Sequence, residues 1–319
     1  MILRNVDFGH VWDASGVRGF FGEGYWYHAW LKALLGFSFK GATFVGKTTT
    51  YNPRGGNMLL ASAPRWTPLR LFPDCIAVNW RKAAAVNSVG LSGPGVAALW
   101  KADRWQTRTK PFMLSFMSVA GTREERMAEL RLFVDFLLPE LHELNTEIGL
   151  QLNFSCPNTG HDPAGLINEI DEALTIAANL GVPLVVKLNA LTPIPVAVEI
   201  GEHPGCDAIC VSNTIPWGKH PGIDWKSLFG SDESPLPKKY GGGGLSGASI
   251  LPIVEDWIRR ARAAGFRKPI NAGGGITCPA DVKRLKDAGA DSVFLGTIVM
   301  LRPWNYRRTV RYANHLFAT

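Results

Sequence analysis

Residues 153–158 read Asn-Phe-Ser-Cys-Pro-Asn and directly follow the apolar run 148–152. Cys156 is a side chain that can act as nucleophile, base or metal ligand. Asn153 and Asn158 each donate and accept, which suits a ligand edge alternating C=O and N–H, such as a pyrimidine or amide ring. Taken alone, a buried structural Cys in a β-to-loop turn accounts for Cys156 equally well, because free Cys is among the most buried residue types. Other chemistry-bearing groups also close short apolar runs: Lys47-Thr48-Thr49, Lys187-Leu188-Asn189, Ser212-Asn213-Thr214, Gly273-Gly274-Gly275 and Gly296-Thr297.

These groups need a scaffold that brings strand ends together. Short β-rich runs occur at 11–14, 42–46, 112–115, 149–154, 184–188, 208–212, 269–272 and 292–295. Helical patterns lie between them, near 25–35, 93–100, 123–145, 168–180, 193–201, 248–264, 279–288 and 303–316. Several strands are continuously apolar, as expected when both faces are covered. The alternation predicts an α/β fold, a (β/α)8 TIM barrel, in which all strand C-termini share one rim. Thr277-x-Pro279 reads as a helix start and Gly289 as a helix stop.

Two stretches exceed a bare barrel: a Pro-, Trp- and Arg-rich segment after the second strand (58–86) and a loop after the sixth (217–240). Long loops inside compact domains are usually functional. No internal repeat and no shift in composition divides the chain, so residues 1–319 are expected to form one domain.

The glycine turns after the last two strands fall where barrels commonly hold a phosphate, because Gly lets backbone N–H groups approach phosphate oxygens. Gly247 adds a further N–H. Together they point to a phosphorylated cofactor. Lys187 is also placed for a Schiff base, as in barrel aldolases, and the phosphate turns fit either idea.

Hydrophobic residues make up 46% and charged residues 19%, a globular composition. No apolar run is long enough to span a membrane, and the start lacks the apolar core of a secretory signal, so a cytoplasmic enzyme is the default expectation. The five cysteines are odd in number and irregularly spaced, which implies no disulfide framework and no zinc or iron–sulfur site within the chain. Cys206 and Cys210, four apart on an apparent strand, are expected to share a face. The net charge of +7 favours anionic ligands and, less specifically, nucleic acid, but the basic residues are dispersed. The 11 Trp residues are scattered and read mostly as core or interface anchors.

In order along residues 9–302, the chain carries Ala14-Ser15-Gly16, Lys47-Thr48-Thr49, Gly56-Asn57, Asn87-Ser88-Val89-Gly90-Leu91, Asn153-x-Ser155-Cys156-Pro157-Asn158, Lys187, Ser212-Asn213-Thr214, Gly244-Leu245-Ser246-Gly247, Gly273-Gly274-Gly275-Ile276 and Leu295-Gly296-Thr297. This series resembles the dihydroorotate dehydrogenases, FMN-binding barrels of pyrimidine synthesis. The resemblance implies that Asn87, Asn153, Asn158 and Asn213, with Thr214, grip orotate. It implies that the backbone at Val89, Gly90 and Leu91 takes the substrate carboxylate, and that Lys47 lies between flavin and substrate. Lys187 would sit near flavin N1 and O2. Gly247, Gly274, Gly275, Gly296 and Thr297 would cradle the FMN phosphate, and Ala14, Ser15, Gly16, Thr48, Asn153 and Ser212 would also contact the cofactor.

Cys156 resembles the catalytic base of the soluble, Cys-dependent branch; the membrane-linked branch uses Ser there and carries an N-terminal helical extension. Residues 157–168 resemble that branch's active-site lid, with Gly160 and Gly165 permitting movement. The spacing between Asn57 and Asn87 is wider than in soluble members, and the family often has Met where Val89 stands. The expected partners are dihydroorotate and orotate, a second copy of the chain, and an iron–sulfur flavoprotein subunit if electrons go to NAD rather than fumarate; no nucleic acid and no membrane are expected. Rival readings are a dihydropyrimidine dehydrogenase-like enzyme, a tRNA-dihydrouridine synthase-like enzyme and a non-catalytic binding barrel. The 87–91 segment favours a carboxylated ring, and no appended RNA-binding domain or basic stripe is present.

Overall fold

A computed structural model describes residues 1–154 and 163–319. A short hairpin, β1 (Ile2–Leu3) and β2 (Val6–Asp7), precedes the main sheet. That sheet contains β3 (Val11–Asp13), β6 (Phe112–Phe116), β7 (Ile148–Asn153), β8 (Leu184–Leu188), β9 (Ala208–Val211), β12 (Ile270–Gly273) and β13 (Ser292–Leu295). All are parallel, in the order β3-β13-β12-β9-β8-β7-β6. The open edges meet across residues 43–49, which pair through isolated parallel bridges, Trp12 with Thr43 on one side and Val45 with Met113 and Thr49 with Phe116 on the other. Hydrogen bonds cross both seams: Thr43 N donates to Val11 O at 2.8 Å, and Gly46 N to Met113 O at 2.8 Å. The barrel expected from the alternation of elements is therefore present, with its second strand a bridged segment rather than a regular ladder.

The helices are α1 (Trp26–Leu35), α2 (Val96–Trp100), α3 (Arg123–Leu137), α4 (Pro163–Ala177), α5 (Ile194–Glu202), α6 (Trp225–Phe229), α7 (Leu251–Ala263), α8 (Pro279–Ala288), α9 (Ile298–Leu301) and α10 (Pro303–Ala318). Local chemistry sets their ends. Thr122 and Glu125 form a reciprocal capping box at the start of α3, with bonds of 3.2 and 3.0 Å. At α8 the N-cap is Cys278 rather than the expected Thr277, because the Asp281 carboxylate accepts from the backbone N–H of both residues. Pro139 turns the expected long helix 123–145 into α3 plus a 3-10 segment, Leu138–Glu143. Residues 163–168 of the expected lid lie in α4, Gly165 among them; residues 157–162 of it lie outside the described residues.

Alternation along the strands divides the core in two. Val11, Leu114, Leu150, Val186, Ile209 and Ala272 face the helices, while Trp12, Val45, Met113, Val185, Ala208, Cys210 and Phe294 fill the barrel interior with Met1, Leu3 and Phe8. Cys206 and Cys210 do not share a face. The strand begins at Ala208, leaving Cys206 in the outer core and Cys210 in the interior. Trp12, Trp105 and Trp257 are fully buried, but Trp26, Trp30, Trp80 and Trp304 are exposed. Among the described residues no helix is long and apolar enough to cross a membrane.

The two long insertions meet. β4 (Ile76–Asn79) and β5 (Ala84–Asn87) come from the first, and β10 (Ile215–Pro216) and β11 (Gly244–Gly247) flank the second. They form one antiparallel sheet in the order β10-β11-β5-β4. Ala84, Val86, Ile215, Ile223, Leu228, Leu236 and Leu245 form a separate small core beneath it. Trp217 packs on Trp225 at 4.7 Å and Phe229 at 5.9 Å. Neither the sheet nor the joining of the insertions was expected from the sequence.

Candidate active site

Among the described residues, the groups singled out at strand ends lie at the C-terminal ends of the barrel strands. Lys47 lies in the bridged segment and is buried over the Phe20 ring, its Nζ 4.8 Å from the ring centre. Nζ donates to the carbonyl oxygen of Ser92. Burial pulls the lysine down to about 8. Ser15 ties the first strand end to the same place: its hydroxyl bonds Gly46 O and Thr48 Oγ1, each at 2.8 Å, and Thr48 Oγ1 pairs with Ser115 Oγ at 2.9 Å. Gly16 lies against Lys47, where a Cβ would make ordinary contact with Lys47 Cγ at 3.7 Å; its φ of +89° is what favours glycine there. A Cβ on Gly296 would stand 3.2 Å from that of Ala14, so these strand ends pack closely.

Asn153 ends β7 in register with Lys187 on β8. Asn213 Nδ2 donates to Asn153 Oδ1 at 3.1 Å, and Asn213 Oδ1 accepts from Thr214 N at 2.8 Å. Two of the expected ring-binding amides thus touch. Asn87 reaches the same neighbourhood through the insertion sheet, because it pairs with Gly244, whose open Cα face is covered by Thr214. Cys156 and Asn158 lie outside the described residues.

The backbone at Val89, Gly90 and Leu91 makes no donor hydrogen bond among the described residues. Gly90 and Leu91 both have positive φ, +70° and +55°. Successive N–H groups in such turns form concavities that attract anions. For a non-Gly residue like Leu91 this conformation costs energy and marks a position held by its surroundings.

Lys187 points up the barrel interior beside Cys210, with its Nζ 5.5 Å from the Phe294 ring centre. Burial lowers the lysine and pushes the Cys210 thiol up to about 12. The thiol is therefore neutral near pH 7 and does not balance the ammonium. No carboxylate pairs with Lys187 among the described residues. An electron-rich or anionic ligand atom would meet this charge favourably.

The glycine turns pack on one another. A Cβ on Gly275 would fall 2.7 Å from Leu251 N and 2.9 Å from Gly247 O, and one on Gly247 would fall 2.0 Å from Ala83 O. The amide N–H groups of Gly274, Gly275, Gly296 and Thr297 make no hydrogen bond among the described residues. Beside them the buried hydroxyl of Ser249 also has no partner. This donor set fits a phosphate group. Ser249 was missed in sequence because only its place in the turn before α7 distinguishes it from any other serine. The Ser212 hydroxyl donates to Asn213 O at 2.6 Å and accepts from Ala190 N at 2.9 Å, so it braces the rim.

A family model described as dihydroorotate dehydrogenase matches residues 9–311. No curated protein matches the chain. Among solved structures, a DHODH of Eimeria tenella in complex with ferulenol superposes with a TM-score of 0.56 at 19% identity, covering 85% of this chain and 73% of that one. At that identity the likeness is one of fold.

Proposed function

The chain belongs to the dihydroorotate dehydrogenase family and is an oxidoreductase, and from that membership we propose that it oxidises dihydroorotate to orotate with FMN as its resident cofactor. The observation that carries the reading is the pairing of two donor sets on one rim. The unspent amides of residues 89–91 suit a carboxylate, and those of residues 274, 275, 296 and 297 suit a phosphate.

Asn87, Asn153 and Asn213, with Asn158 outside the described residues, hold the ring edges. Val89, Gly90 and Leu91 seat the carboxylate, and Lys47 lies between substrate and cofactor. Gly247, Gly274, Gly275, Gly296, Thr297 and Ser249 hold the phosphate, with Ala14, Ser15, Gly16, Thr48 and Ser212 forming the adjoining wall. Lys187 places positive charge against the flavin ring. When bound, FMN supplies the hydride acceptor at N5. Cys156 takes the C5 proton as the C6 hydride leaves, so two C–H bonds break and the C5=C6 double bond forms. A thiol has an ordinary pKa near 8.5, low enough for base catalysis when cations lie close by. The Cys at this position of the sequence supports the soluble, Cys-dependent branch.

Anaerobic titration with dihydroorotate, followed by oxidised-flavin absorbance, tests the reading. Bleaching with stoichiometric orotate is the expected result. A yellow protein that dihydroorotate leaves oxidised would overturn the substrate and turn attention to uracil-type rings or tRNA. A protein that cannot be loaded with FMN would overturn the cofactor.

A further inference from the structure

Gly56-Asn57 belongs to the ordered motif series, yet the proposed reaction gives it no task. Its surroundings supply one. Asn57 Nδ2 donates to Ser88 O at 2.7 Å, Asn57 N donates to Val89 O at 2.9 Å, and Arg54 Nε donates to Gly90 O at 2.8 Å. These three carbonyls belong to the peptide groups whose N–H ends are those of Val89, Gly90 and Leu91. In a trans peptide the C=O and N–H point in opposite directions. A loop held by its carbonyls on the 54–57 side therefore turns each of those N–H groups away from that side.

The clamp is built tightly. Arg54 and Gly93 exchange backbone hydrogen bonds of 2.8 and 2.9 Å. Ser92 Oγ accepts from Met58 N at 3.1 Å and donates to Val89 O at 3.2 Å. Gly56 permits the approach: at φ +57°, a Cβ there would fall 2.3 Å from Ser92 Oγ and 2.7 Å from Gly90 O. Hydrogen bonding at a carbonyl polarises its peptide and strengthens the N–H at the other end. Arg54 adds a full positive charge to the same peptide, and no carboxylate pairs with it among the described residues.

We propose that Arg54 and Asn57 are positioning residues that hold and polarise the 88–92 loop as a seat for the substrate's carboxylate, and so determine preference for carboxylated over unsubstituted pyrimidine rings. This rests on the function proposed above. Arg54 acts through the Gly90–Leu91 peptide, and Asn57 through the two peptides before it.

The test compares two probes on the FMN-loaded protein: orotate, and uracil, which lacks the carboxylate. Each is titrated by perturbation of the flavin spectrum, beside steady-state oxidation of dihydroorotate. Arg54→Met is expected to weaken orotate and raise the KM for dihydroorotate about tenfold, the scale of one lost charge-assisted bond. Expected kcat is within about twofold, uracil binding is unchanged, and Arg54→Lys recovers part of the loss. Arg54 is exposed, so the fold does not depend on it; should Asn57→Ala fail to fold, Arg54→Met still decides. Equal losses for orotate and uracil, or unchanged orotate binding, would overturn the proposal. Failure of the wild-type protein to oxidise dihydroorotate strikes instead at the function it rests on, and the ratio of orotate to uracil affinity in the variants still reads the seat.

Discussion

Lys47 donates through Nζ to the carbonyl oxygen of Ser92, so the lysine of the bridged barrel segment and the loop after β5 form one hydrogen-bonded unit. A cation held against that loop adds to whatever charge the loop receives. It is also a titratable cation, because burial has brought it from 10.5 to about 8. With the folded value depressed, the cost of burying the ammonium is present below about 8 and is relieved as the pH rises towards 10.5.

Orotate affinity is therefore expected to be flat from mildly acidic pH up to about 8 and to weaken above it by about tenfold per unit, as the ammonium is lost. A dissociation constant measured across that range for wild type and Lys47→Met checks this. The break should vanish in the variant; a break at the same pH in Lys47→Met would assign it to another group.

Lys187→Met should separate stability from cofactor binding. Removing a buried ammonium that faces a neutral thiol relieves a desolvation cost, so the FMN-free variant should melt no lower than wild type. FMN affinity should fall by about tenfold or more. Equilibrium dialysis and thermal melting of the same preparations measure both. Undiminished FMN affinity would remove Lys187 from the cofactor site.

Cys156→Ala is expected to keep its FMN while the single-turnover reduction by dihydroorotate slows by about a hundredfold or more, the usual scale for a lost general base. Stopped-flow absorbance reads the rate. Near-normal reduction would sink the role assigned to this thiol.

Arg126 and Glu169 join α3 to α4 through two hydrogen bonds, of 2.6 and 2.7 Å, with both side chains less than a tenth exposed. Glu169→Ala takes the bidentate counter-charge from a buried guanidinium and should lower unfolding stability by about 3–5 kcal/mol. Urea denaturation at constant slope gives the figure. A loss below about 1 kcal/mol would show that the guanidinium's other partners, the carbonyl oxygens of Ala120 and Gly121 among them, compensate it there.

The barrel was legible because its strands are long apolar runs with both faces covered, as in Leu184-Val185-Val186. The rim was legible for the same reason, since a strand that ends sharply places the next few residues. The insertion sheet was not. β4 and β5 are four residues each, and the turn between them uses Ala83 at φ +48° in place of the Gly or Asn that would have announced a hairpin. Their partner β11 lies in a glycine run that reads as loop. Asn57 was visible as part of a motif, but its task depends on carbonyls more than thirty positions away, and pairing at that distance leaves no periodic trace in the chain. The tryptophans were expected mostly as core or interface anchors; Trp12, Trp100, Trp105 and Trp257 are buried, while Trp26 and Trp30 of α1 are exposed beside Leu34.

The sheet that joins the insertions has a consequence for transplantation. β5 supplies Asn87 and leads into the 88–92 loop, but it is flanked by β11 on one side and β4 on the other. Ser88 Oγ also bonds Tyr240 O at 2.9 Å, and Asn79 Nδ2 bonds Leu228 O at 2.6 Å. The two stretches behave as a single cassette written into the gene at two separate addresses. A chimaera that receives only one of them inherits an open β-edge and half a small core, whereas exchange of both together carries the sheet, its core and the 88–92 loop as a unit.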